Sequence, residues 1–479
     1  MLVVMPRRTK ILATLGPATD RPGVLDSMIE AGMDGARVNC SHGTAEDWHG
    51  RVRSVRAAAR AAGRHVAVLV DLQGPKIRLA ASVEAQSVAE GDRVRFCAAG
   101  EAAVPGAVAV EWPAFLDAVT PGQSDVIIGD GLPRFHVEDV VADPSGRYAV
   151  ARCTAAGKLS ARKGAAVTHA AVDAPALTAK DLADLVFACE IDASFVALSF
   201  VRSAADVEAL RSELQARGCY ARIVAKVEKV EAIDRLDEII AAADAVMVAR
   251  GDLGVEAGVH RIARIQKRII QQATDAGKLV ITATQMLESM IENATPTRAE
   301  STDVANAVMD GTSAVMLSAE TAMGAHPIAA VREMAEIARD AEQGPVYGLE
   351  FGTPQRGAEA VMQAAAMLAQ QVDAGAILVP TTSGGSVRAT VKYRPLRPVV
   401  ALALSDLVAD QLALEWGVIP ARIRLCESIE DLIGETMRLA QTLLPLDGRS
   451  VVLTYGPTVA DAGGTNLIAV KAIGEPASP

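Results

Sequence analysis

Aromatic residues are scarce, at 3% of 479 residues, which argues against a protein built to stack nucleic-acid bases. A basic excess is missing too: 47 Lys and Arg against 58 Asp and Glu leave a formal charge of −11, which repels a phosphate backbone and an anionic membrane alike. No nucleic-acid or membrane partner is expected, and an anionic substrate needs a local cationic site. The six cysteines (Cys40, Cys97, Cys153, Cys189, Cys219, Cys426) never fall in a C-x-x-C spacing, and the closest histidines, His42 and His49, lie seven residues apart. Structural zinc and a disulfide frame are both unexpected. Nowhere do 18 apolar residues run together, and the stretch Met1 to Met5 is too short for a secretion signal, so a cytoplasmic protein with reduced thiols is expected.

What the chain does have is aliphatic bulk, with 50% hydrophobic residues and enough length for about three domains. Eight short apolar runs that end in polar residues alternate with helical patterns: Thr9 to Thr14, Ala36 to Asn39, Val66 to Asp71, Phe195 to Ser199, Ile223 to Glu228, Ala245 to Arg250, Leu279 to Thr284 and Ala314 to Ser318. This predicts an α/β fold, a (β/α)₈ barrel whose site lies at the carboxyl ends of its strands. Between the third and fourth runs more than 100 residues intervene, with short strands and turns, and they predict an inserted small β-barrel lid. After a Gly/Pro-rich stretch near Gly344, alternating strands and helices predict a C-terminal open α/β domain, with strands that include Ala421 to Cys426. The expected division is 1–78 with 173–343 for the barrel, 79–172 for the lid and 344–479 for the last domain.

The polar ends converge on phosphate chemistry. Lys226 and Glu228 share one face of a strand because side chains alternate with period two, and alone they would be read as an ordinary ion pair. The next strand ends in Arg250-Gly251-Asp252-Leu253-Gly254, adding a second carboxylate and glycines that let backbone N–H groups approach an anion. Glu228 and Asp252 suit Mg²⁺, which takes one or two carboxylates and leaves its other positions to water or phosphate. Arg37, Asn39, Ser41 and His42 follow the second strand, and Asp71 and Arg78 the third. Thr284 ends the seventh, and Ser318 and Glu320, at the end of the eighth, join the candidate catalytic set.

The chain resembles the pyruvate kinase family in segments spread over almost its whole length. They include Arg37 to Gly43, Asp71 to Arg78, Ser160 to Gly164, Lys226 to Glu228, Met247 to Glu256, and the run Ala283-Thr284-Gln285-Met286-Leu287-Glu288-Ser289-Met290. The resemblance implies phosphoryl transfer from phosphoenolpyruvate to ADP, giving pyruvate and ATP, on a homotetramer with a regulatory C-terminal domain. It gives Lys226 the transition state, Glu228 and Asp252 the Mg²⁺ (with Mn²⁺ as a substitute), and Arg37 the phosphate. The backbone of Gly251 and Asp252 would hold the substrate carboxylate, and Thr284 would lie near the proton path. Asn39, His42, Arg78, Lys163 and, from the lid, Asp130 match nucleotide positions.

Asn39, Ser41, Asp71 and Leu72 match a monovalent-cation site. Lys76 stands where K⁺-dependent relatives carry Glu, so its ammonium is expected to replace the cation and K⁺ not to be required. Thr381, Thr382, Ser383, Gly384, Gly385 and Ser386 open a helix and are expected to bind a phosphorylated allosteric effector. The stretch Gly456 to Gly464 brings no cation, which favours a monophosphate. One departure is Ala165-Ala166, where the family usually reads Val-Asn. A metal-dependent lyase or aldolase working through a pyruvate enolate is the competing reading, and the second set of phosphate-binding residues on a hinged lid speaks against it.

Overall fold

The computed structural model describes residues 7–100, 104–129, 131–168, 175–344, 357–446, 448–459 and 464–473. Three strands, β1 (Lys10–Thr14), β2 (Gly35–Asn39) and β3 (Ala67–Asp71), come before the insertion. Within it lie β4 (Gln86–Val88), β5 (Arg93–Ala98), β6 (Val108–Val110), β7 (Asp125–Ile128), β8 (Arg134–Asp143), β9 (Gly146–Ala155), β10 (Gly157–Leu159) and β11 (Ala165–Val167). The chain then returns through β12 (Phe195–Leu198), β13 (Arg222–Val227), β14 (Ala245–Ala249), β15 (Leu279–Ala283) and β16 (Ala314–Leu317). These five and β1 to β3 close an all-parallel barrel in the order β1-β16-β15-β14-β13-β12-β3-β2.

Apolar side chains face both ways because each strand is covered on both sides. Leu12, Leu69, Phe195, Val224, Met247, Ile281 and Met316 belong to one buried cluster, whereas Ile11, Val68, Val70, Val196, Ile223, Val246 and Val315 pack in a larger one with the helices. The first cluster also contains Ala413 and Leu414 from the C-terminal part of the chain. Gly35 makes room for that plug: a Cβ there would lie 2.8 Å from the Leu414 side chain.

The inserted sheet has the order β11-β7-β8-β9-β5-β6, with β10 and β4 as a separate pair. It is not a continuously hydrogen-bonded barrel; the segment 78–79 spans its two edges, Arg78 bridging to Gly164 and Leu79 to Val110. Its core is aromatic, with Phe96 and Phe135 ring centres 5.0 Å apart and Phe115 and Trp112 beside them. The three-residue strands were not expected, since so short a run has no readable alternation.

The last sheet runs β19 (Val418–Arg422), β18 (Val399–Ala403), β17 (Ile377–Thr381), β20 (Ser450–Tyr455), β21 (Leu467–Ala472), parallel except for β21. The strand expected at Ala421 to Cys426 lies three residues earlier. Pro420 is tolerated there because β19 is an edge strand paired only to β18, so no ladder bond is lost on its outer side. This sheet docks under the barrel, where Lys10 Nζ donates to the Val418 carbonyl at 2.7 Å and Gly417 N–H to the Arg8 carbonyl. Among the described residues no helix is long and apolar enough to cross a membrane.

Candidate functional site

A chain of ion pairs crosses the carboxyl ends of five neighbouring barrel strands. Lys226, on β13, places its Nζ 3.0 Å from Glu228 Oε1 and 3.1 Å from Asp71 Oδ1 at the end of β3, and donates at 2.7 Å to Ser199 Oγ just beyond β12. Asp71 also receives Arg37 Nε at 2.7 Å from β2, and Arg37 donates onward to Thr14 Oγ1 on β1 at 3.1 Å. Asp71 and Glu228 are buried, so their charges must be paired to persist.

The electrostatics fix the charge on the lysine. Burial pushes the Lys226 ammonium down, but Asp71 and Glu228 outweigh it and the net shift is upward. Burial pushes Asp71 up, but Lys226 and Arg37 reverse that and hold it below the ordinary carboxylate range. Glu228 goes the other way: burial raises it, Lys226 pulls back, and the nearby charge of Asp252 raises it further. A cation entering between Glu228 and Asp252 would relieve that mutual repulsion.

Asp252 sits in the first turn of the helix Arg250–Ala257, its Oδ1 3.0 Å from Lys76 Nζ. The Gly251 N–H, expected to await a substrate carboxylate, instead donates to Thr284 Oγ1 at 2.7 Å. A half-buried N–H still takes the nearest acceptor, so a carboxylate binding there competes with that hydroxyl. Thr284 and Gln285 adopt left-handed φ of 69° and 53°, unusual for a β-branched threonine. The Arg250 guanidinium holds this turn, donating to both carbonyls while pairing with Asp303 at 2.7 Å.

Other expected residues fall around this centre. Asn39 Oδ1 accepts the Ser41 N–H, and His42 is pushed down by burial and by Arg78, Arg37 and Lys76. Arg78 donates to the Arg162 carbonyl, Lys163 to that of Lys158, and both line a cavity of about 480 Å³ with Lys76 and Arg162. Asp130 lies outside the described residues.

Three expectations need correction. Glu320 is a buried brace rather than an open catalytic acid: its oxygens accept the N–H groups of Ser318 at 2.7 Å and Leu287 at 3.2 Å. Among the described residues Ser318 Oγ is buried without a hydrogen-bond partner. Lys76 makes no hydrogen bond or ion pair to Asn39, Ser41 or Asp71; the free carboxylate of Asp252 is the stronger attraction, because Asp71 is already balanced by two cations. The Leu72 carbonyl is taken by Ser199 Oγ. Finally, the stretch Gly456 to Gly464 has no cation of its own, but other segments bring cations to the expected effector loop, so the preference for a monophosphate loses its ground. Thr381, Thr382, Ser383, Gly385 and Ser386 border a cavity of about 1240 Å³ together with Arg388, Lys392, Arg424 and Lys278. Within the loop Gly384, at φ 80°, donates to Thr381 Oγ1. Ser199, which the motifs did not single out, joins this network through Lys226; its place at the polar end of a strand run was the available signal.

A pyruvate kinase barrel-domain model matches residues 6–331, and a pyruvate kinase alpha/beta-domain model matches residues 359–471. The chain is 41% identical to the pyruvate kinase of Mycobacterium tuberculosis (strain ATCC 25618 / H37Rv), over 98% of this chain and 99% of the relative. It is 38% identical to those of Geobacillus stearothermophilus and Corynebacterium glutamicum, again over 98% of this chain, and over 81% and 98% of theirs. The chain belongs to the pyruvate kinase family. Its function is transfer of the phosphoryl group of phosphoenolpyruvate to ADP, the step of glycolysis that yields pyruvate and ATP, and the enzyme is a phosphotransferase. Pyruvate kinases generally use Mg²⁺, and the competing lyase reading is set aside.

Proposed function

We propose that Lys226 stabilises the phosphoryl group in flight and the enolate oxygen it leaves. The observation that carries this is the buried Lys226 ammonium, held charged by Asp71 and Glu228 at the mouth of the barrel. Preorganised charge of this kind acts where charge develops and costs no reorganisation during the step. Arg37, fixed by Asp71 and Thr14, is positioned to hold the phosphate. The Gly251 and Asp252 N–H groups receive the substrate carboxylate at the start of their helix, Thr284 lines the path of the proton to the enolate carbon, and Glu320 with Ser318 braces the adjoining turns. Asn39, His42, Arg78, Lys163 and Asp130 take the nucleotide, with the lid excluding water.

Glu228 and Asp252 fit a divalent cation. Among the described residues no group of three or more His, Cys, Asp or Glu forms a full cage, and Mg²⁺ is held by one or two carboxylates and its substrate. When bound, Mg²⁺ or Mn²⁺ supplies Lewis-acid stabilisation of the substrate oxygens.

K⁺ is not required in this reading, because Arg37 and Lys226 already balance Asp71 and Lys76 adds a further cation, on a flexible stem, at the mouth. Residues 1–78 and 173–343 form the catalytic domain, 79–172 the lid and 344–479 a regulatory domain that takes a phosphorylated effector at Thr381 to Ser386. The enzyme works as a cytoplasmic homotetramer. Pyruvate formation, assayed with Mg²⁺ in a buffer of large organic cations, should run near its full rate and respond to sugar phosphates or AMP; tenfold stimulation by K⁺ overturns the cation reading. Glu228→Gln and Asp252→Asn should each raise the Mg²⁺ concentration needed for half-maximal rate, and an unchanged requirement in either removes that residue from the metal site.

A further inference from the structure

The two carboxylates assigned to the metal are each already held by a lysine, and the two lysines are held very differently. Lys226 has three partners, Asp71, Ser199 and Glu228, and is nearly buried. Lys76 has one ionic partner among the described residues, Asp252, and its side chain is one-third exposed. Its ammonium lies 6.0 Å from the centre of the Phe200 ring, too far for a strong hold there. A partly exposed pair of this kind is weak and easily exchanged.

The stem of Lys76 is also tied to the lid. A Cβ on Gly164 would fall 3.1 Å from Lys76 Cε, so the glycine backbone packs directly on the lysine chain. Two residues further on, Arg78 bridges to the same Gly164. The side chain therefore stands between Asp252 and the cavity that it lines with Arg78, Arg162 and Lys163. That cavity has cations on several sides and suits a polyphosphate.

We propose that Lys76 is a tethered competitor for the divalent cation at Asp252. In the metal-free enzyme its ammonium occupies one carboxylate oxygen. An arriving cation takes that oxygen, and the freed ammonium turns to the cavity of Arg78, Arg162 and Lys163, adding charge where the polyphosphate enters. Metal and nucleotide then favour each other through one side chain, and the coupling is reciprocal. Lys76 is a positioning residue here. The inference rests on the reading of Asp252 as a metal ligand.

A double-mutant cycle in Mn²⁺ affinity, read from the electron paramagnetic resonance of free Mn²⁺, separates the two claims. Lys76→Met should bind Mn²⁺ about two- to fivefold more tightly than wild type, the range set by a partly exposed ion pair. In an Asp252→Asn background the same substitution should change nothing. No tightening in Lys76→Met, or an equal gain in both backgrounds, overturns the competition, since a general positive field would act in both. If Asp252→Asn alone binds Mn²⁺ as wild type does, the ligand assignment itself fails. Should Asp252→Asn bind too weakly to titrate, acetylation of Lys76 in the wild-type enzyme decides, followed by peptide mass. Mg²⁺ should speed it at least twofold, and an unchanged rate overturns the proposal.

Discussion

Replacing Gly74 by Ala should press on Lys226, the lysine proposed to stabilise the phosphoryl group, from behind. Gly74 has φ 67°, and a Cβ there would lie 2.8 Å from Ser199 Cβ, 3.1 Å from Phe200 Cδ2 and 3.3 Å from the Ser199 carbonyl. Ser199 cannot retreat freely, because its hydroxyl donates to the Leu72 carbonyl and accepts from Lys226 Nζ, each at 2.7 Å. Two costs combine. A left-handed alanine costs about 1–2 kcal/mol, and overpacking a filled site about 1–3 kcal/mol more. Gly23→Ala isolates the first cost, since Gly23 has φ 76° with nothing within 4 Å of its would-be Cβ. At about 2–4 °C per kcal/mol, the Gly74→Ala midpoint should fall below that of Gly23→Ala by roughly 2–12 °C. Its kcat/KM should also drop more than tenfold, because a misplaced catalytic group costs far more rate than stability, whereas Gly23→Ala keeps wild-type turnover. Equal melting and equal kcat/KM in the two variants would refute the idea that Ser199 transmits the contact to Lys226.

Two further outcomes concern buried charge. Glu256 pairs with Lys229 at 3.3 Å, and burial, ahead of that pairing, pushes its carboxyl up to about 7 from 4.5. Its folded-state pKa is raised, so its stabilising contribution is complete below about pH 4.5 and is lost as pH rises through 7. Relative to Glu256→Gln, the wild type should lose up to about 3 kcal/mol over that window and then level off, measured by thermal unfolding at each pH; a flat difference contradicts this. Asp34, beneath the barrel, takes Arg7 at 2.7 Å, Arg64 at 2.9 Å and the Ile11 N–H at 2.9 Å. Asp34→Ala leaves Arg7 and the buried Lys10 unbalanced and should cost about 3–5 kcal/mol in unfolding experiments, and a loss below about 1 kcal/mol shows the network is dispensable.

The barrel was legible because its eight strands are short aliphatic runs that stop at a polar residue, and closure leaves no edge to blur them. Strand period put Lys226 and Glu228 on one face, and the polar end of the third run marked Asp71. What the sequence could not show is which partner a charge selects. Lys76 was expected at Asn39, Ser41 and Asp71, but it pairs with Asp252 from a helix 176 residues away, a choice settled by the neutralisation of Asp71. Glu320, expected in the catalytic set, spends its two oxygens on backbone N–H groups, since burial makes a carboxylate seek N–H donors. The strand expected at Ala421 to Cys426 lies at Val418–Arg422, and the position of Pro420 inside it is intelligible only once the strand is seen to be an edge.

The most direct test of the central claim is the turnover of Lys226→Met in a coupled assay of pyruvate formation from phosphoenolpyruvate, ADP and Mg²⁺, alongside its circular dichroism. Methionine keeps an unbranched chain in place but removes the ammonium that bridges Glu228, Asp71 and Ser199. Loss of one preorganised charge costs about 10²–10³ in rate, and loss of the cation proposed to stabilise the transferring phosphoryl group should cost at least that while the secondary structure is retained. A folded Lys226→Met enzyme with more than about a tenth of the wild-type turnover would contradict the role assigned to Lys226.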